Sequence, residues 1–560
     1  MPRLLEGPKN MKVYEALASA FVNEGTTDVF GMMGDANMHW MNELARRGVR
    51  LYEVRHEGSG LGMADGWARA TGRPGVVTTT SGPGTSQLAT SMLAASRART
   101  SLIAFCGETA RGDEGAVQYL DQRRFAAAIE CGFVHVTRAD LAEDAAQRAF
   151  YMARTESRPV MLSAPADVQM EGYQEGKRYV PSSELIDETR LLPDPARIRS
   201  GADIIEASSK VVIIVGRGAR RAGVAEKVLR LQERTGALLA TTLQAKNWLR
   251  GRTEYHAGIS GGYGSQAAME LLREADCVIA VGASLNSYTI APGPLYQQAK
   301  YVQIDKAPHV VMGNGRLADC YVRADAAPAL AELIAVLDER AVKIEGFHTP
   351  QVRGQLSASE REQQEYEQEP DRVDPREAIR VIDAELPEEL ALVLGSGHQV
   401  DFGNMLFSRP REVLSNYGMF GAIGQASLLA IGTIVARGGK PAFLVEGDAS
   451  FLMHLPEFET ACRYRLPILA IIMNDEGLGA EYHKSRAHGL DADLATIPTP
   501  DLGQVAVALG GSGALVRTTS ELVAALRDYV GNPAPTVIDV RITRRALSAR
   551  YRRLGYGGDE

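Results

Sequence analysis

The chain has 560 residues, 45% of them hydrophobic and 23% charged, with a formal net charge of −8. That length allows three or four domains with ample core, and the acidic balance leaves no basic footprint for nucleic acid. No 18-residue apolar run and no CxxC pair among the five cysteines is present, so membrane spans, secretion and a disulfide framework are not expected; reduced thiols in a cytoplasmic protein are.

In chain order, a helix over Val13–Asn23 leads to a strand at 28–30 and the loop GMMGDANMHW. A helix, a strand at 51–55, the stretch HEGSGLGMADGWARATG (56–72), a strand at 75–80 and the loop SGPGTSQ follow. This first block ends near 167, and a polar, proline-containing connector occupies 168–195. A central block, 196–345, carries strands at 211–215, 277–281 and 301–305, with the turn GRGARRAG after the first. A glutamate- and glutamine-rich stretch, 346–375, reads as an exposed linker. The third block spans 376–542, and 543–560 is a basic tail, read as a solvated terminus rather than a cover for a site. Strands alternating with helices of this length imply parallel, doubly wound sheets, hence three α/β domains. The first and third blocks are candidates for distant copies of one architecture.

The stretch GDASFLMHLPEFETACRYRLPILAIIMNDEGLG, 447–479, organises the rest. An apolar strand at 442–445 runs into Gly447-Asp448, a helical segment follows, and a second strand at 467–473 ends in Asn474-Asp475. Ligands collect at the carboxyl edge of parallel strands. Asp448 and Asp475 supply the oxygens that Mg2+ prefers, and the amides of Gly447, Ala449 and Ser450 stand at a helix start, which favours a diphosphate.

This arrangement resembles the thiamin diphosphate motif, with Ala449 in place of the middle glycine and Asp475 in place of the second asparagine. The substitution at 475 adds a negative charge to the metal site. HEGSGLGMADGWARATGRPG is similar to the glutamate helix of the acetohydroxyacid synthase and pyruvate oxidase superfamily. TTSGPGTSQ is similar to its SGPG loop, with Gln87 where asparagine is usual, and Gly82 and Pro83 sit in that loop. The likeness covers nearly the whole chain in order.

Several residue roles follow from the resemblance. Glu57 would activate the cofactor as a desolvated carboxyl at the aminopyrimidine, since burial raises a carboxyl pKa. SNYGMFGAIGQASLLAIG places Ile423 as the wedge beneath the bent cofactor and the Gly421 carbonyl at its amino group. GSGHQV places His398 and Gln399 at the diphosphate. Asp448, Asp475 and the Gly477 carbonyl would hold Mg2+. Gln118, in GDEGAVQYLDQ, matches a glutamine near the reacting centre, while Glu481 and His483 are candidate proton shuttles. The resemblance also implies a homodimer or homotetramer, with the glutamate domain of one subunit facing the diphosphate domain of another.

For substrate, the leading expectation is acetolactate-synthase-like carboligation on a 2-keto acid. GASLNSYTIAPGPLY and FGMMG are closer to 2-hydroxyacyl-CoA lyases and oxalyl-CoA decarboxylases, so an acyl-CoA enzyme stays open. With it stay ADP or CoA in the central domain, held by Asp305 and ahead of FAD. A rival of another class is a non-catalytic nucleotide-binding protein on the same domains, with Ala449 and Asp475 as signs of decay.

Overall fold

The computed structural model describes residues 11–174, 178–186, 190–291, 295–307, 312–358, 366, 369–415 and 420–557. Parts of the connector, of the linker and of the stretch before Gly421 lie outside the described residues, as do 292–294 of GASLNSYTIAPGPLY and the tail's last three.

Three six-stranded parallel sheets, with a two-stranded antiparallel pair of Met11–Lys12 and Gly172–Tyr173, form the described molecule. The first holds β1 (Asp28–Gly31), β2 (Arg50–Glu53), β3 (Gly75–Thr79), β4 (Leu102–Glu108), β5 (Gly132–His135) and β6 (Pro159–Pro165), in the order β2-β1-β3-β4-β6-β5. The central sheet holds β7 (Val211–Val215), β8 (Leu238–Thr241), β9 (His256–Ile259), β10 (Cys277–Val281), β11 (Lys300–Asp305) and β12 (Cys320–Arg323), in the order β9-β8-β7-β10-β11-β12. The third holds β13 (Ala391–Leu394), β14 (Val413–Ser415), β15 (Ala442–Gly447), β16 (Ile468–Asn474), β17 (Ser512–Val516) and β18 (Thr536–Arg541), in the order β14-β13-β15-β16-β18-β17. Counted within each block, the first and third sheets share one order, 2-1-3-4-6-5; the central sheet does not. Central strands such as β7 and β16 are buried along their length, which is why they read as unbroken apolar runs rather than alternating ones.

The first and third domains meet where the helix Glu57–Thr71 crosses the helix Gln425–Ala436. Glycine makes the crossing close: a Cβ on Gly66 would stand 2.2 Å from the Leu429 carbonyl oxygen, and one on Gly432 1.8 Å from that of Met63. Around it, Leu61, Met63 and Trp67 share one core with Leu428, Leu429 and Ile431.

Two segments differ from their sequence reading. The stretch 346–375 opens as the helix Pro350–Ala358, whose Val352 and Leu356 are buried with Phe347 against the central domain. Two apolar residues four apart lie on one helix face, enough to dock a short helix despite a polar composition. The segment after Asp448 is two helices, Asp448–Met453 and Pro456–Arg463; Pro456 begins the second, where a missing N–H costs nothing. Among the described residues no helix is long and apolar enough to cross a membrane.

Candidate active site

Strands β15 and β16 are parallel neighbours with Gly447 opposite Met473, so Asp448 and Asp475 leave adjacent strand ends side by side. Asp448 is 1% exposed, and neither of its carboxylate oxygens has a hydrogen-bond partner; Oδ1 of Asp475 has none either. Burial and the neighbouring Asp475 charge push the Asp448 carboxyl up to about 7. Burial pushes Asp475 up to about 6, against the pull of Arg544. Three desolvated oxygens without a donor match what a hard divalent cation satisfies. Among the described residues no group of three or more His, Cys, Asp or Glu forms a protein-only cage, so the remaining ligands would be backbone, water and phosphate oxygens, the usual Mg2+ pattern.

The neighbouring asparagine has a different use. Asn474 donates to Thr499 Oγ1 and Asp539 Oδ1, both at 2.9 Å, and accepts from the Glu476 N–H, which fixes the turn that presents Asp475. Arg544 grips the same turn from the tail, donating to the carbonyl oxygens of Asp475 and Glu476 and lying across the Tyr482 ring. A Cβ on Gly477 would come within 3.0 Å of the Arg544 guanidinium, which places that glycine in the turn beside the carboxylate pair.

Gln399 packs against Gly447 so closely that a Cβ there would lie 2.1 Å from its amide nitrogen. His398 is buried, and its Nε2 accepts the Ser548 N–H at 3.0 Å. That bond leaves the ring proton on Nδ1, available to a phosphate oxygen. Burial, with His483 and Arg550 nearby, holds the His398 pKa well below the usual imidazole value, so the ring is neutral. Its ring lies 4.4 Å from that of His483 and 4.7 Å from that of Tyr551, centre to centre. His483 is buried with Nε2 unpartnered, and burial lowers its pKa to about 4. Glu481, by contrast, is exposed on the same helix and pairs with Lys484 at 3.2 Å. The helical turn takes 483 inward and 481 outward.

Ser450 serves as a brace: its hydroxyl accepts the Gly424 N–H at 2.6 Å and donates to Glu446. Ser427 donates to the other Glu446 oxygen, and burial raises this carboxyl to about 7. The network ties the turn at 421–424 to the start of the helix that carries Asp448 and Ala449. Ile423 is half-buried and Gly421 exposed, whereas every residue from Gly424 to Val435 is buried; Ile423 therefore lies outside the fully buried helix core.

In the first domain, Glu57 begins its helix, capped by His56 Nδ1, which accepts the Gly58 N–H. A Cβ on Gly84 would lie 3.1 Å from the Glu57 carboxylate, so the SGPG loop lies directly against it. Gly82 has φ +54° and packs on the Gln118 carbonyl, while Ser81 donates to the Gln118 side chain at 2.8 Å. Pro83 opens the short helix after Gly82. Glu57, the glycine loop and Gln118 thus form one cluster. It faces the third domain through Ser59, whose hydroxyl is 3.0 Å from His454 Nδ1.

The basic tail is not a solvated terminus. Ala546, Leu547, Ser548 and Tyr551 are buried, and Arg550 pairs with buried Asp401 at 3.3 Å. Buried acceptors at 401 and 475–476 give the arginines partners that water would otherwise supply. Sequence reading missed Arg544, Ser548, Tyr551, His454 and Glu446; only the arginine density hinted at the first. In the central domain, the turn GRGARRAG packs against neighbouring backbone and the first domain. A Cβ on Gly216 would meet the Gly282 carbonyl oxygen at 2.1 Å, Arg217 donates to Ala98 of the first domain, and Asp305 accepts the Ala307 N–H.

Fold and cleft define a three-domain α/β protein with a buried carboxylate pair at the carboxyl edge of a parallel sheet. Residues 11–128 match the thiamine pyrophosphate enzyme N-terminal TPP-binding domain, 198–333 its central domain and 396–540 its C-terminal TPP-binding domain. The chain belongs to the thiamine pyrophosphate enzyme family, and it is a thiamin-diphosphate-dependent enzyme. It is similar to a sulfoacetaldehyde acetyltransferase of Castellaniella defragrans, 28% identical over 98% of this chain and 96% of the relative. It is also similar to an acetolactate synthase large subunit of Parasynechococcus marenigrum, 27% identical over 96% and 88%. A probable acetolactate synthase large subunit of Methanocaldococcus jannaschii is 26% identical over 95% and 92%. The rival of a non-catalytic nucleotide-binding protein gives way to this family membership.

Proposed function

We propose that the enzyme removes a short acyl unit from a 2-keto acid and joins it to an acceptor, as an acetolactate-synthase-like carboligase, using thiamin diphosphate and Mg2+. The observation that carries this is the buried Asp448–Asp475 pair with three unpartnered oxygens beside Gly447. When bound, thiamin diphosphate supplies the nucleophilic carbon and the electron sink. Asp448, Asp475 and the Gly477 carbonyl hold the cation. The amides at Gly447 and Ala449, with Gln399 and Nδ1 of His398, bind the diphosphate. Ile423 and the Gly421 carbonyl would orient the pyrimidine, and the Glu57 carboxyl would face its ring nitrogen. Gln118 meets the substrate. His483, neutral and buried, takes the proton-handling place that Glu481, paired on the surface, does not. A homodimer at least is proposed, with Glu57 of one subunit serving the diphosphate site of another.

The names of the relatives support a two-carbon acyl unit. The acyl-CoA reading rests on GASLNSYTIAPGPLY and FGMMG. The test is incubation of the Mg2+–thiamin diphosphate enzyme with pyruvate, alone and with a second aldehyde or keto acid. CO2 release with a new carbon–carbon bond supports the proposal, and Glu57→Gln should lower it at least about 100-fold. Turnover of 2-hydroxyacyl-CoA but not pyruvate would transfer the assignment to the lyases.

A further inference from the structure

We propose that the cleft between the central and third domains is a second binding site, for a small organic oxyanion, separate from the Asp448–Asp475 centre. A cavity of about 690 Å3 opens between the edge strand β9 with the segment after β8 on one side and the end of the His398–Leu406 helix with Arg552 on the other. This volume suits a small-molecule site, and such sites favour domain interfaces.

Its charge is one-sided. Lys246, Arg250, Arg380 and Arg552 line it, against the lining carboxylate of Glu270, which accepts from Gln266; Arg380 also pairs with Glu377 at 3.6 Å. Lys246 fixes the floor, donating to the carbonyl oxygens of Asn404 at 2.7 Å and Phe407 at 2.9 Å. Guanidinium groups match carboxylate, phosphate and sulfonate oxygens through paired N–H donors.

A second observation is independent of the charges. Asn404 lines the same cavity with 0% exposure, and neither its amide nitrogen nor its amide oxygen has a partner. Fully buried amides are almost always satisfied. Its unsatisfied N–H donor, in the wall of a polar cavity, fits an oxyanion, whose oxygens accept; a hydroxyl on the same ligand would meet the amide oxygen. Ile259, Leu356 and Leu406 supply apolar wall for a short carbon body. The cavity is not the crevice where the central strand order reverses, between β7 and β10: Gly216, Gly282 and Asp305 are not among its lining residues.

The experiment uses the enzyme saturated with thiamin diphosphate and Mg2+, so that the diphosphate site is blocked. Succinate, glycerol 3-phosphate and, as uncharged control, 1,4-butanediol are titrated calorimetrically. Saturable binding of at least one oxyanion, and none of the diol, is expected; the preferred oxyanion separates carboxylate from phosphate chemistry. Arg380→Gln and Asn404→Leu should each weaken that binding at least about tenfold. Asn404→Leu should also raise the melting temperature of the ligand-free enzyme, because its orphan amide is gone. Absence of saturable binding by either oxyanion, or affinity unchanged in either variant, overturns the proposal. Arg380 is exposed, so its variant carries the test even where the Asn404 variant does not fold.

Discussion

Two carboxylates leaving adjacent strand ends repel each other and lack solvent, so the metal-free chain carries a strain that the proposed cation would relieve. Asp475→Asn should therefore stabilise the metal-free protein by about 1–2 kcal/mol, read from urea unfolding in EDTA, while weakening Mg2+ binding in a direct titration. Asp448→Asn should abolish activity, because no second side chain replaces it. Lys246 gives a pH prediction. Burial lowers its pKa from 10.5 to about 7, so below pH 7 folded and unfolded chains are both protonated there. Between 7 and 10.5 the unfolded chain holds the extra proton, and stability rises with pH by up to about 1.4 kcal/mol per unit. Lys246→Met should flatten urea midpoints measured at pH 7, 8 and 9. At this scale Asp448 was legible in the sequence because a strand end, a glycine and an acid stand in a row. Glu446 and His454 were not, since a strand residue and a helix-end histidine carry no local mark of the partner that folding brings to them.

The helix crossing is the element on which the two cofactor-binding domains turn. Gly432→Ala drives a Cβ into a backbone carbonyl that cannot move aside, and should cost about 3 kcal/mol or more, with lower soluble yield and an earlier urea midpoint. Gly354→Ala is the opposite case. That glycine lies inside the Pro350–Ala358 helix with nothing within 4 Å of a new Cβ, and alanine there should gain about 0.5–1 kcal/mol. Elements were legible where burial imposes a pattern, as in β7 and β10, which read as apolar runs; the glutamate helix was legible through its resemblance to the superfamily's stretch. The docked helix at 350 was hidden because two buried side chains leave a polar composition nearly unchanged.

At the scale of the molecule, the first and third sheets repeat one strand order that sequence identity does not reveal, because topology survives substitutions that erase identity. The tail was misread for a related reason. Its charges were visible, but the buried acceptors that draw them in lie elsewhere in the chain. Arg544→Ala removes two charge-assisted bonds to the turn at 475–476, and should weaken cofactor affinity about tenfold, measured by thiamin diphosphate titration at fixed Mg2+, with little change in melting temperature.

The distance along the chain of that arginine clamp has a consequence for synthesis. Arg544 lies 69 positions after Asp475, so at about 5–20 residues per second the ribosome delivers it roughly 3–14 s later. During that interval the acidic turn has emerged but its latch has not, and a nascent chain would capture Mg2+ and vitamin poorly.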